Sequence, residues 1–152
     1  MIVMGIDQSL TSTGIVIKED GNMVHHQIIT SNTDRDDFDR VQDITVKVID
    51  LIKSFQVDDV VIEGLAFSSN GDATRKLAGL QFYLVIEIRK VLPIECSVVA
   101  PTTLKKKATG NGRANKDDLF DALPDDIREE FMKYNKTGGR FDVTDAYWLA
   151  TC

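Results

Sequence analysis

Four carboxylates fall where an acidic side chain is costly. Asp7 ends the apolar run Ile2-Val3-Met4-Gly5-Ile6, and Glu63 ends Val60-Val61-Ile62. Asp142 and Asp145 lie three residues apart, which places both on one face of a helix. If two strand ends and that face converge, the carboxylates cannot all stay ionised, because like charge and burial each raise a carboxyl pKa. A hard divalent cation resolves the conflict. Mg²⁺ takes oxygen ligands, keeps some of its waters and commonly binds substrate phosphates, and Mn²⁺ favours the same donors. Two such ions about 3.5–4 Å apart support in-line phosphoryl transfer. Taken singly, Asp7 also reads as a turn or cap residue and Asp142 as the N-cap of the last helix. Glu63 has no capping role at a strand end, and the conjunction of all four favours a metal site.

A second feature is cationic. Residues 101–116 carry Lys105, Lys106, Lys107, Arg113 and Lys116 and no acid. The Gly110-Asn-Gly112 loop would let backbone approach a phosphate closely. The lysines and the arginine would offer point charges and a fork donor to a polyanion. A solvated surface run is the plain alternative, and beside a carboxylate metal site the phosphate-tracking role is the better reading.

These residues need elements to hold them. Ile2–Asp7 is short, apolar and β-branched, as a buried strand should be. Residues 15–18 and 23–30 read as strands joined by an Asp-Gly turn, so the chain opens with an antiparallel meander. Phe38, Val41, Ile44 or Thr45, Val48, Leu51, Ile52 and Phe55 recur at helical spacing over 36–55. Residues 59–63 form a buried strand, 73–91 a helix, and 94–99 a strand after Pro93. Short helices at 116–123 and 125–134 precede a last helix at 142–151. The expected architecture is α/β: a mixed five-stranded sheet, meander then parallel strands, with helices on both faces, in one domain over 1–152.

Composition sets outer limits. Hydrophobic residues make up 43% and charged residues 28% of 152, which suits a folded core. The net charge of -6 disfavours simple coating of nucleic acid, yet its distribution is uneven. Seven acids crowd residues 117–130 against Arg128 alone, so that stretch can face away from a polyanion. Two cysteines, Cys96 and Cys152, make no disulfide framework and point to a reducing compartment. No apolar run reaches the roughly 18 residues of a membrane span, and the first residues lack the pattern of a secretion signal. The expected location is cytoplasmic.

The ordered motifs resemble a known family. Ile6-Asp7-x-Ser-x-x-x-Thr-Gly14, the apolar strand ending in Glu63, Pro101-x-x-Leu-Lys105-Lys-x-x-x-Gly110-x-Gly112-x-Ala114-x-Lys116, and Asp142-Val-x-Asp145-Ala resemble the RuvC Holliday-junction resolvases of the RNase H-like superfamily. The likeness spans nearly the whole chain. It implies an Mg²⁺-dependent endonuclease acting as a homodimer on four-way DNA junctions, placing paired symmetrical nicks that leave 5′-phosphate and 3′-hydroxyl ends. Asp7, Glu63, Asp142 and Asp145 fall on the family's metal-binding positions, and Lys105 and Lys116 on its two functional lysines. Phe67, in the loop after Glu63, is the counterpart of a Phe that wedges into the junction. A close alternative is an RNase H-like nuclease acting on other branched DNA or on structured RNA. A helicase-type partner is not specified by these residues.

The dimer has support of its own. In the 73–91 helix Leu77, Leu80, Leu84 and Ile88 form one stripe, while Phe82, Tyr83, Val85 and Ile86 lie largely off it. A helix apolar on more than one side needs more than one partner surface, and a second subunit can supply one. Burial within one subunit is the alternative. His25 and His26 read as surface or edge residues, Tyr147 and Trp148 as core, and Cys96 as a small buried hydrophobe.

Overall fold

The computed structural model describes residues 1–65, 71–93 and 96–152. The expected wedge residue Phe67 and the start of the strand expected at 94–99 lie outside the described residues.

The chain opens with strands β1 (Ile2–Asp7), β2 (Thr13–Glu19) and β3 (Asn22–Ile29). β1 and β2 pair antiparallel, as do β2 and β3. Asp20 and Gly21 both take positive φ, 50° and 85°, which matches the right-handed twist of the flanking strands. Helix α1 (Asp37–Phe55) then crosses to β4 (Asp59–Glu63), and α2 (Gly71–Val91) crosses to β5 (Ser97–Val99). β4 lies parallel to β1, and β5 parallel to β4. The sheet order is β3-β2-β1-β4-β5. α3 (Pro101–Thr109), α4 (Lys116–Asp121), α5 (Asp125–Phe131) and α6 (Arg140–Thr151) complete the chain. The five-stranded mixed sheet is the one expected.

Strand alternation divides the molecule. Met4 and Ile6 of β1, Ile15 and Ile17 of β2, and Val60 and Ile62 of β4 pack against Ile44, Val48 and Ile52 of α1 and Leu80, Leu84 and Ile88 of α2. The opposite face carries Val16 against α6, with Phe120 of α4, Phe131 of α5 and Leu123 between those two helices. Val61 meets Leu104 of α3 and Leu149 of α6 on that same face. Asp7 and Glu63 therefore inherit the α6 side, because side chains two residues apart along a strand share a face.

Two glycines seat α6 on the sheet. A Cβ at Gly5 would stand 2.0 Å from the Ala146 carbonyl oxygen, and one at Gly14 would stand 2.3 Å from that of Asp142. Only a residue without a side chain lets helix backbone approach strand backbone so closely. The far end of α6 is tied to β2 by buried Lys18, whose Nζ donates to Thr151 Oγ1 at 3.0 Å and lies 4.3 Å over the Tyr147 ring.

Several sequence expectations shift. α1 runs from its N-cap Asp36, as expected, but Phe38 is 84% exposed, because the buried stripe begins at Ile44. The basic segment, for which the sequence sets no expected element, is helical over Pro101–Thr109. Gly110 sits at φ 81° as the C-cap of α3, its N–H donating to Lys106 O, so its positive φ serves helix termination. Tyr147 is buried, and Trp148 Nε1 donates to Leu119 O. His26 bridges Tyr134 and Glu130 at 2.6 and 3.1 Å. Buried Cys96 has its thiol pushed up to about 12 by burial.

Candidate active site and metal centre

Asp7 and Glu63 are neighbours by register. β1 and β4 pair Ile6 with Ile62, so the next residues end two adjacent parallel strands side by side. Asp145 enters from α6, one residue before the Ala146 backbone that abuts Gly5. One carboxylate oxygen from each of Asp7, Glu63 and Asp145 lies within 4.8 Å of the other two.

The backbone behind Glu63 is clamped. Its carbonyl accepts from Gln8 Nε2 and from Gln81 Nε2, both at 2.9 Å. Gln8 follows Asp7 on the opposite face of the sheet, and Gln81 lies on α2, so three elements meet at the strand end that presents Glu63. Nothing in local sequence signals either glutamine, because the partner is a backbone atom 55 or 18 residues away.

Desolvation and mutual repulsion dominate the electrostatics. Burial pushes the Asp7 carboxyl well above its ordinary value, and the charges of Asp145 and Glu63 push it further. Asp145 rises to about 8, first through burial and then through Glu63. Burial also raises Glu63, against the opposing pull of a hydrogen bond from Asp7 and the charges of Lys105 and Lys116. Burial and like charge thus oppose ionisation of all three groups, and a bound cation would relieve that opposition. The donors are all carboxylate oxygens, convergent and poorly hydrated, so the residues present fit a hard divalent cation such as Mg²⁺.

Asp142 stands beside this trio rather than within it. It lies in the first turn of α6, whose N-cap is Gly139, so its carboxylate is not the helix cap. Its Oδ2 instead accepts from Ser12 Oγ at 2.7 Å.

A cavity of about 340 Å³ opens from the carboxylates and is lined by Glu63, Asp145, Lys105, Asn115, Lys116 and Leu104, among others. Lys105 reaches it from α3, which Leu104 fixes against Val61 and Leu149. Lys116 is the first residue of α4, capped by the reciprocal pair Asn115 and Asp118. Lys106, Lys107 and Arg113 are exposed and do not line the cavity. Lys107 acts electrostatically on Cys152, at the far end of α6 from Asp145.

A profile of the family described as crossover junction endodeoxyribonuclease RuvC matches residues 3–152. The chain is 24% identical over 156 residues to crossover junction endodeoxyribonuclease RuvC of Ehrlichia chaffeensis, covering 100% of this chain and 95% of that one. It is 26% identical to the namesake of Bdellovibrio bacteriovorus over 154 residues, covering 99% and 88%. Among solved structures, RuvC of T. thermophilus in complex with a Holliday junction superposes with a TM-score of 0.79 at 17% identity, covering 99% of this chain and 90% of that one. The fold is thus the RNase H-like fold of RuvC, and with a family profile matched from Val3 to the last residue, the chain belongs to the RuvC family of crossover junction endodeoxyribonucleases.

Proposed function

We propose that this protein is a structure-selective DNA endonuclease that resolves four-way junctions by paired symmetrical nicks, working as a homodimer. The observation that carries this reading is the carboxylate trio Asp7, Glu63 and Asp145, of which Glu63 and Asp145 line a cavity together with Lys105 and Lys116. Anionic cation ligands on one side and cationic side chains on the other suit a phosphodiester seated between them.

Asp7, Glu63 and Asp145, with Asp142 beside them, would hold divalent cations, Mg²⁺ by donor chemistry. When bound, such cations lower the pKa of an attacking water and offset charge at the phosphate and the leaving oxygen. The chain's own groups do the rest. Asp7 and Glu63, hydrogen-bonded to each other at the ends of adjacent strands, would serve as ligands once deprotonated. Lys105 and Lys116 attract the scissile phosphate and offset charge that develops on its oxygens. α3 and α4 keep both lysines on one wall, since Trp148 of α6 holds Leu119 of α4 and Leu149 of α6 holds Leu104 of α3. Lys106, Lys107 and Arg113, exposed beyond the cavity, are suited to flanking DNA backbone.

Two nicks in one junction call for two such sites. α2 offers Phe82 and Ile86, 69% and 54% exposed, on the side away from its buried Leu80, Leu84 and Ile88. That apolar side continues into a cavity of about 600 Å³ between α1 and α2, lined by Phe38, Val41 and Tyr83 among others. A second copy of the chain covering this face would place two sites on one dimer.

The deciding experiment is cleavage by purified protein of four-way junctions, flaps, plain duplex and RNA–DNA hybrid, with and without Mg²⁺. Mg²⁺-dependent, paired cleavage restricted to four-way junctions is expected. Equal cleavage of flaps or hybrids would replace junction resolution with general branched-substrate nuclease activity.

A further inference from the structure

The fourth carboxylate is held by a residue outside the metal-binding positions. Ser12 Oγ donates to Asp142 Oδ2 at 2.7 Å, and Asp142 Oδ1 takes no hydrogen bond among the described residues. Ser12 is itself held. Ser9 Oγ accepts from the backbone N–H groups of Thr11 and Ser12, Thr13 Oγ1 donates to Ser9 O at 2.6 Å, and Ser9 N donates back to Thr13 Oγ1 at 3.1 Å. Thr13 is fully buried. One residue on, Gly14 lets the Asp142 backbone abut β2. The turn between β1 and β2 thus fixes both the main chain of Asp142 and the orientation of its carboxylate, across 130 residues of sequence.

We propose that Ser12 is a positioning residue for the metal centre: its hydroxyl occupies one oxygen of Asp142 and leaves the other as the oxygen offered to a cation beside Asp7, Glu63 and Asp145. The proposal rests on the metal-centre reading of this site and adds to it a donor that orients one ligand. A half-buried carboxylate in the first turn of a helix still has more than one rotamer open to it. A single hydroxyl donor held in a rigid turn selects one of them, and removing such an orienting partner typically costs tenfold or more in metal affinity.

The test is Mn²⁺ binding by isothermal titration and by electron paramagnetic resonance, without DNA, on the wild-type chain, Ser12→Ala, Ser12→Thr, Asp142→Asn and the Ser12→Ala/Asp142→Asn double variant. Roughly tenfold weaker Mn²⁺ binding is expected for Ser12→Ala, with recovery in Ser12→Thr. Ser12→Ala should add nothing once Asp142 is Asn, because the hydroxyl acts through that carboxylate. Metal-free junction binding should be the same in wild type and Ser12→Ala. A wild-type Mn²⁺ affinity in Ser12→Ala overturns the proposal and leaves the metal centre intact, as does an equal loss on top of Asp142→Asn. Failure of the wild-type chain to bind Mn²⁺ overturns both.

Discussion

A Cβ on Gly5 would stand 2.0 Å from the carbonyl oxygen of Ala146, so the central strand and the helix that carries Asp145 touch backbone to backbone. This contact sets how far Asp145 sits from Asp7, two residues beyond Gly5 on the same strand face. Gly5→Ala would force α6 away from β1, since neither backbone can yield alone. The expected loss of stability is about 3 kcal/mol, the upper end of overpacking costs, read from urea melts. Divalent-cation binding should fall with it. A Gly5→Ala protein with wild-type stability and cation affinity would show that α6 is not seated by this contact.

The raised carboxyls predict an unusual pH response in the metal-free protein. Asp7, Glu63 and Asp145 titrate above their ordinary values of 3.8–4.5, Asp145 at about 8. Between about pH 4 and 8 the folded chain holds protons that the unfolded chain releases, so stability falls as pH rises through that window. Asp72 and Glu130, held low by neighbouring cations, change their contribution only at more acid pH. Thermal melts in chelator should therefore give a lower Tm at pH 8 than at pH 5.5. Mg²⁺ should reverse the order, because binding displaces those protons and strengthens as they leave. A Tm in chelator that rises from pH 5.5 to 8 would contradict the desolvated cluster.

Asp7→Asn separates chemistry from folding. It replaces a desolvated titratable carboxyl with a neutral amide of the same shape, so the metal-free protein should melt at the same or a higher temperature. Junctions should still bind, while cleavage in Mg²⁺ falls below detection. Cleavage at the wild-type rate would show that Asp7 is not a ligand.

Much of the site was legible because strand pattern and chemistry coincide. An apolar run ending in a carboxylate names both a buried strand and a buried charge, and this located Asp7 and Glu63 and the strands that carry them. The i,i+3 spacing placed Asp142 and Asp145 on one helix, but the hydrogen bond that Asp142 takes from Ser12, 130 residues away, left no trace in the spacing. The glutamine clamp on the Glu63 carbonyl and the close approach at Gly5 were equally hidden, since each depends on a partner's backbone. At Gly110 the residue type alone did not reveal the end of α3, because positive φ suits a helix C-cap as well as a phosphate loop. Phe38 matched the helical period of α1, yet periodicity does not say where along a helix the sheet ends.

The cationic residues should divide by position. Lys105→Ala and Lys116→Ala each remove a cation from the wall facing Glu63 and Asp145, and single-turnover cleavage should drop on the order of 10²-fold. Lys107→Ala, near Cys152, should leave that rate within about twofold and alter chiefly the salt dependence of binding. Equal losses from all three would mean that the run acts as a diffuse surface charge.

The exposed side of α2 makes the last prediction. Phe82 and Ile86 project where no part of the same subunit covers them among the described residues, and Phe38 lines the apolar cavity beside them. Burying that patch against a second copy removes apolar surface from water on both subunits at once, which drives association. Sedimentation equilibrium should give twice the 16.9 kDa chain mass for the wild type and the single chain mass for Phe82→Asp, because a charge cannot be buried there without a partner. Phe82 lies next to Gln81, whose amide holds the Glu63 carbonyl, so the monomer's site can also be examined for loosening. Phe82→Asp should keep its fold and its Mn²⁺ site and nick junctions singly, losing the paired second cut. A dimeric Phe82→Asp would move the subunit interface elsewhere on the molecule, and a monomer that still makes paired nicks would separate resolution from dimerisation.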